Sequence, residues 1–295
     1  MQQPNVSGPG PEVSVVIPTR NRWRLLEARG LASALCQQDV SLEVVVVDDG
    51  STDETPRRLA SLNDDRVRTI RNERGTGVAR ARNSGMAAAR GEWIAFLDDD
   101  DIWAPRKLRL QLDAAAQASA DFVYGGVAHL DDELRVLATF APPAPDRGHQ
   151  ALIAGISLPA GASNVLARRR VLDEVGGFDP ELRCLEDHEY WLRLAAVAPA
   201  ASLGDVLVGY VRHAGAAHLT DTAGVVSSFR TYARRPAAQT DLGAVQRMES
   251  RYLHWIAGQH RRSGHRRRAT AVYMRAALSS RRPHYVLLGL EQIVR

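Results

Sequence analysis

Cysteine is scarce in this chain: Cys36 and Cys184 stand far apart among 295 residues. Two isolated thiols exclude the dense disulfide framework of a small secreted scaffold, and a reducing, cytoplasmic setting is expected. Long apolar runs are missing too. No stretch reaches the ~18 uncharged apolar residues that mark a membrane-crossing helix. The opening MQQPNVSGPGPE has neither a basic start nor an apolar segment, so residues 1–12 are expected to form a flexible leader and no signal peptide. Internal repeats are absent, which removes solenoid architectures. Lysine occurs once, at Lys107.

What is present suits a globular protein with one sizeable α/β core. The composition is 45% hydrophobic and 24% charged, within the usual soluble range. The net charge of +4 is unevenly placed, with nine arginines and no Asp or Glu between residues 250 and 289.

Strand and helix patterns alternate through the first hundred residues. Residues 13–17 and 42–47 are continuous β-branched apolar runs, as expected of strands buried on both faces. Residues 67–70 and 93–97 read as two further strands. Amphipathic segments at 23–38 and 78–90 read as helices, and Ser51 with Glu54 forms a capping-box pattern predicting a helix start there. This order implies a doubly wound, mostly parallel sheet, whose ligands bind beyond the carboxyl ends of the strands. Further on, residues 121–127 and 163–167 read as strands, 128–140 as a hairpin about Asp131-Asp132, 142–148 as a loop, and 186–195 as a helix. Pro236 marks the start of a helical, arginine-rich tail.

Three strand ends carry polar clusters: Pro18-Thr19-Arg20-Asn21, Asp48-Asp49, and Asp98 through Asp101. The strongest is Asp98-Asp99-Asp100-Asp101, four adjacent carboxylates that repel one another unless solvated or neutralised. A divalent cation neutralises such a run, and oxygen ligands suit Mg²⁺ or Mn²⁺. A solvated acidic turn is the plainer alternative. Asp48-Asp49 ends another strand, where a carboxylate either caps the next helix or accepts the ring N–H of a pyrimidine. Arg80, Arg82 and Asn83 follow a small-residue segment, and the arginines there suit a base or a diphosphate, or simply a solvated helix face. A phospho-receiver domain also carries clustered aspartates, but it needs a lysine at a late strand end, and Lys107 falls within an expected helix.

The segments SVVIPTRNR, VVVVDDGSTD, GVARARNSG, GEWIAFLDDDD and VGGFDPELRCLEDHEYWLRL, in that order, resemble the inverting, nucleotide-sugar-dependent family 2 glycosyltransferases of the GT-A fold. The resemblance covers residues 13–213. It implies a Rossmann-like sheet with helices on both faces, a nucleotide-sugar-binding half at 13–115 and an acceptor-binding and catalytic half of the same domain at 116–235; the helical tail read from the sequence occupies 236–295. It further implies that Pro18, Thr19 and Asn21 border the nucleotide base and that Asp49 reads its ring N–H. Arg82 and Asn83 match the family's Arg-Asn pair. Asp98, Asp99 and Asp100 match its Asp-x-Asp element, with Asp100 on the metal together with Asp98, and Asp99 at the ribose or assisting the metal. Asp187 matches the general base, which an acceptor hydroxyl needs to become an effective nucleophile. His213, in Tyr210-Val211-Arg212-His213, is a candidate metal or diphosphate ligand. Trp103 and Trp191 suit core packing better than sugar stacking.

The expected activity is therefore transfer of a sugar from a UDP- or dTDP-sugar to an acceptor hydroxyl, by Mn²⁺- or Mg²⁺-dependent single displacement with inversion. The setting would be polysaccharide, glycolipid or glycoconjugate synthesis, with a saccharide or lipid-linked acceptor. A nucleotide-sugar binding protein without activity is one rival, but binding alone needs no base. A sugar nucleotidyltransferase is another, yet its glycine-rich loop is replaced here by Pro-Thr-Arg-Asn-Arg-Trp. The tail arginines either cap the core in solvent or rest on the inner face of an anionic membrane; no nucleic-acid motif accompanies them.

Overall fold

The computed structural model describes residues 10–213, 222–262, 264–280 and 286–289. Most of the expected leader, and Arg281, Arg282 and Tyr285 of the tail, lie outside the described residues.

Strands β1 (Val13–Thr19), β2 (Leu42–Asp48), β3 (Val67–Arg71) and β4 (Trp93–Phe96) make a parallel block in the order β3-β2-β1-β4. Strands β5 (Ile102–Trp103), β6 (Phe122–Leu130), β7 (Val136–Phe140), β8 (Leu166–Arg168) and β9 (Ala200–Val211) continue the same sheet. There β8 runs antiparallel to both β4 and β6, while β6 and β9 are parallel. The α/β, GT-A-type sheet expected from the sequence is therefore present.

The β-branched runs form buried strands because alternate residues feed two cores. Val13, Val15 and Ile17 pack with Trp23, Leu26 and Leu108 on one face. Val16 packs on the other with Phe96, Phe178 and Trp191. A period of two exposes neither face to water, so both must be apolar. Helices α1 (Trp23–Leu25) and α2 (Ala32–Leu35) flank a π-turn, Leu26–Leu31, beneath the first strand end. Helices α3 (Thr55–Ala60), α4 (Val78–Ala88), α5 (Lys107–Ala118), α6 (Pro145–Ile153), α7 (Arg169–Val175) and α8 (Glu186–Ala195) follow.

Several local expectations need correction. Ser51 does not open a helix; α3 begins at Thr55, whose N–H donates to Asp53 Oδ1. The Ser51 hydroxyl instead accepts the Asn21 N–H, and Asp48 and Asn21 accept the N–H groups of Ser51, Thr52 and Asp53, so a tertiary turn outcompetes the cap. The loop expected at 142–148 becomes α6 from Pro145 onward, with Pro in the first turn and Asp146 at the positive helix end. The strand expected at 163–167 begins only at Leu166, after a 3₁₀ turn Gly161–Asn164. Strand β9 was not foreseen, because its burial follows no clean alternation and its register with β6 shifts around Gly125 and Gly126.

The C-terminal helices Thr222–Tyr232, Pro236–Gln239, Leu242–Arg262 and Arg266–Ser280 build a third apolar cluster. Leu182 and Leu185, from the segment entering α8, are part of it. Tyr273 is buried and Trp255 half-buried, whereas Met274 and Leu287 are exposed. Among the described residues no helix is long and apolar enough to cross a membrane.

Candidate active site

Parallel pairing of β2, β1 and β4 puts Asp48, Thr19 and Phe96 at one edge of the sheet, with Asp98 through Asp101 just beyond it. The π-turn brings Gly30 against this run: a Cβ there would stand 3.1 Å from the Asp98 carbonyl oxygen and from the Asp99 Cα.

The four aspartates have different sets of partners, with Arg22 shared between Asp99 and Asp100. Asp98 Oδ1 accepts from Arg82 at 2.6 Å. Asp99 Oδ2 accepts from the Thr19 hydroxyl at 2.7 Å, and its Oδ1 from Arg22 at 3.2 Å. Asp100 Oδ2 lies 2.8 Å from both Arg22 Nη1 and His213 Nε2. Asp101 is buried, accepting from Ser163 Oγ at 2.6 Å and from the Val211 N–H at 3.1 Å. Their protonation tendencies separate accordingly. Burial, then the Asp100 charge, pushes Asp99 up to about 7 against the pull of Arg22. Burial and the neighbouring carboxylates push Asp101 well above its ordinary range. For Asp100 burial is outweighed by the His213 hydrogen bond and the Arg22 charge, so it is held below the usual range.

The second half of the site is the start of α8. Arg82, buried on α4, bridges Asp98 and Glu186, with 2.7 Å to Glu186 Oε1, and its guanidinium lies 5.4 Å from the Phe178 ring centre. Burial disfavours its charge, but Asp98 and Glu186 more than compensate and hold it protonated. Asn83 clips the loop before α8, accepting the Phe178 N–H and donating to its carbonyl. Burial and the Asp187 charge raise Glu186 to about 7, with Arg82 opposing. Asp187 is likewise raised by burial and opposed by Arg82. Its Oδ1 accepts the His188 N–H at 2.7 Å. Its Oδ2 faces Gly161, where a Cβ would come within 2.1 Å.

The turn Gly161–Asn164 joins the two halves. Ser163 Oγ accepts the Asp98 N–H and donates to Asp101, and the Ser163 carbonyl accepts the Trp103 indole N–H at 2.7 Å. The Asn164 amide ties the same turn to Gly125 and Pro159.

The remaining sequence candidates fall as follows. Pro18 is a buried strand residue paired with Val47. Asn21, at φ 55°, spends its side-chain oxygen on the Thr52 and Asp53 N–H groups. Asp49 accepts from Asn72, from the Thr76 N–H and hydroxyl, and from the Gly77 N–H, and these bonds outweigh burial to hold it below the usual range. Trp103 and Trp191 are core residues. Lys107 is buried too, its amine depressed by burial, bonded to Gln111 and 4.0 Å over the Trp103 ring. Sequence reasoning assigned no role to Arg22, Ser163 or Gly161. Only Arg22 left a signal, as a cation directly after the first strand end.

Among the described residues no group of three or more His, Cys, Asp or Glu side chains converges as a metal cage. Asp100 and His213 do converge, offering one ionised carboxylate and one imidazole. That pair fits Mg²⁺ or Mn²⁺, which take few protein ligands and complete their shell with phosphate and water.

A parallel sheet with acidic groups across its carboxyl edge, buttressed by an antiparallel extension, defines the GT-A architecture. Residues 14–176 match Glycosyl transferase family 2, and the chain belongs to that family. It is similar to the succinoglycan biosynthesis protein ExoO of Rhizobium meliloti, with 33% identity over 69% of this chain and 61% of that protein. It is also similar to the Escherichia coli UDP-Glc:alpha-D-GlcNAc-diphosphoundecaprenol beta-1,3-glucosyltransferase WfgD, at 33% over 38% of this chain and 44% of WfgD. The chain thus spans roughly half the length of these two relatives. Two solved structures share the fold. They are S. aureus TarS 1-349 with UDP-GlcNAc (TM-score 0.61, 16% identity, 91% of this chain and 81% of that one) and the Pyrobaculum calidifontis mannosyltransferase PcManGT with GDP-Man and Mn²⁺ (0.58, 22%, 97% and 80%).

Proposed function

We propose that this chain transfers a sugar from a UDP- or dTDP-sugar to an acceptor hydroxyl by metal-dependent single displacement with inversion. The observation that carries the reading is the Arg82 bridge, which ties the acidic run to Glu186 next to Asp187. A donor site and a base are thereby held on one rigid frame, and simple binding has no use for the base.

In this reading Asp187 Oδ2 takes the acceptor proton as the hydroxyl attacks the anomeric carbon. Burial keeps that carboxyl a stronger base than an exposed aspartate. Asp99 meets the ribose, beside Thr19 and Pro18. Asp49 accepts the ring N–H of a pyrimidine, for which one of its Thr76 or Asn72 donors must give way; Asn21 shapes the loop on the other side of the base. Arg82 reaches the diphosphate only by releasing Asp98 or Glu186, so its standing role is to hold them. Asp100 and His213, with Asp98 adjacent, would hold Mn²⁺ or Mg²⁺, which when bound supplies charge neutralisation at the leaving diphosphate.

One relative is named for succinoglycan biosynthesis and another for a GlcNAc-diphosphoundecaprenol acceptor, which supports a saccharide or lipid-diphosphate acceptor for this chain in cell-envelope polysaccharide synthesis, met at the inner face of the membrane. Exposed Arg267, Arg268 and Arg275 beside Met274 and Leu278 support a peripheral contact with anionic lipid. Salt-sensitive co-sedimentation with anionic vesicles checks it, and recovery in the supernatant under all conditions excludes it.

The test of the whole reading is Asp187→Asn. Turnover should fall about 10²–10⁴-fold while affinity for donor and metal stays put. In the parent protein the acid limb of kcat/KM should lie above the ordinary aspartate range, because activity needs the ionised base and burial raises its pKa. Undiminished turnover in the variant would reject Asp187 as the base.

A further inference from the structure

The segment that delivers Asp187 is not self-supporting. Leu185, directly before α8, sits at φ 69°, a left-handed conformation that is strained for a non-glycine residue, and no side chain caps the helix at that position. Such a conformation persists only where its surroundings over-determine it. Those surroundings come largely from the C-terminal helices. Leu182 and Leu185 are buried in the cluster formed by Val225, Phe229, Val245 and Met248. Arg235 pairs with Asp179 and Glu181. The His188 ring meets Tyr232 edge-on at 5.6 Å.

One contact in this set is polar, buried and aimed at the backbone. The Ser228 hydroxyl, on helix Thr222–Tyr232, accepts the N–H groups of both Arg183 and Cys184 at 3.1 Å. Ser228 is itself 2% exposed. One buried oxygen thus ties helix Thr222–Tyr232 to both peptide units that precede the left-handed Leu185 and the Glu186-Asp187 pair.

We infer that Ser228 is a positioning residue for the base: it acts through the 183–185 backbone to hold Asp187 Oδ2 at its place against Gly161. This rests on the reading of Asp187 given above, and it assigns the helical tail a part in the chemistry. Ser228→Ala removes this acceptor and loosens the 183–185 segment from helix Thr222–Tyr232, admitting reagent and water around Cys184. Ser228→Thr keeps the hydroxyl.

The experiment has one arm that needs no substrate and one that does. In the first, alkylation of half-buried Cys184 by iodoacetamide is followed by mass spectrometry, with exposed Cys36 as the internal reference. The Asp187 carboxyl is titrated by NMR in aspartate-labelled protein, its signal assigned by its loss in Asp187→Asn. Ser228→Ala should speed Cys184 alkylation at least fivefold and lower the Asp187 midpoint toward that of an exposed aspartate, and Ser228→Thr should restore both. In the second arm, with UDP-glucose as the probe donor, Ser228→Ala should lower kcat tenfold or more at unchanged KM. Unchanged Cys184 reactivity or an unchanged Asp187 midpoint would overturn the inference, as would unchanged kcat. If the parent protein turns over no nucleotide sugar, the proposed activity fails, while the first arm still decides whether Ser228 positions Asp187.

Discussion

Gly161 offers a sharp test of how closely Asp187, the proposed base, is fitted. Its backbone is left-handed, at φ 47°, and a Cβ built there would stand 2.1 Å from Asp187 Oδ2, where real contacts begin near 3.0 Å. In Gly161→Ala the carboxylate must therefore withdraw by about 1 Å, and a displacement of that size at a reacting group costs about 10²-fold in rate. That corresponds to about 2.7 kcal/mol in the barrier. The left-handed alanine adds about 1–2 kcal/mol of backbone strain, which lowers stability but leaves chemistry alone. Gly264→Ala separates the two effects: Gly264 also has positive φ, at 75°, yet nothing lies within 4 Å of its virtual Cβ. Thermal unfolding should show a similar loss for both variants. Steady-state transfer kinetics should show the hundredfold fall in kcat for Gly161→Ala alone, with donor KM preserved. Equal kcat in the two variants, or a Gly161→Ala enzyme within threefold of the parent, would refute the placement of Asp187 Oδ2 as the reacting atom.

Two further outcomes follow from the same geometry. Asp100→Ala should weaken donor binding, read by calorimetry, only when Mn²⁺ or Mg²⁺ is present, and full activity of the parent in excess EDTA would remove the metal from the reaction. Asp49→Ala should cost about 1.5–3 kcal/mol of UDP or dTDP affinity, the worth of a hydrogen bond to a charged group, and a preference for GDP would reverse the assignment.

The sheet was legible because its residues speak locally. Continuous β-branched runs in β1 and β2 cannot be buried except between two helical layers, and that alone fixes the parallel block and the edge at which ligands collect. The acidic run was legible for a similar reason: four carboxylates after a core strand need an explanation wherever the chain leads. The capping-box error shows the limit. Ser51 and Glu54 satisfied a local rule, but Asn21, thirty positions away, took the hydroxyl. Composition could not show this, since hydrogen bonds between distant segments leave no period in the sequence.

The residues of the site divide along the same line. Sequence determined the fold class and the chemical types at the strand ends, because burial and charge are properties of short stretches of chain. Tertiary structure alone decided how the aspartates differ. Asp99 is left near a pKa of about 7 and Asp100 is depressed, although they are neighbours of one type, because His213 and Arg22 converge on Asp100 while burial dominates at Asp99. It also decided that Arg82 links the two halves, that Gly161 makes room for Asp187, and that the tail clasps the entry to α8 through Ser228. Each of these rests on groups dozens to more than a hundred residues apart meeting within a few ångströms, and only the folded packing sets those distances.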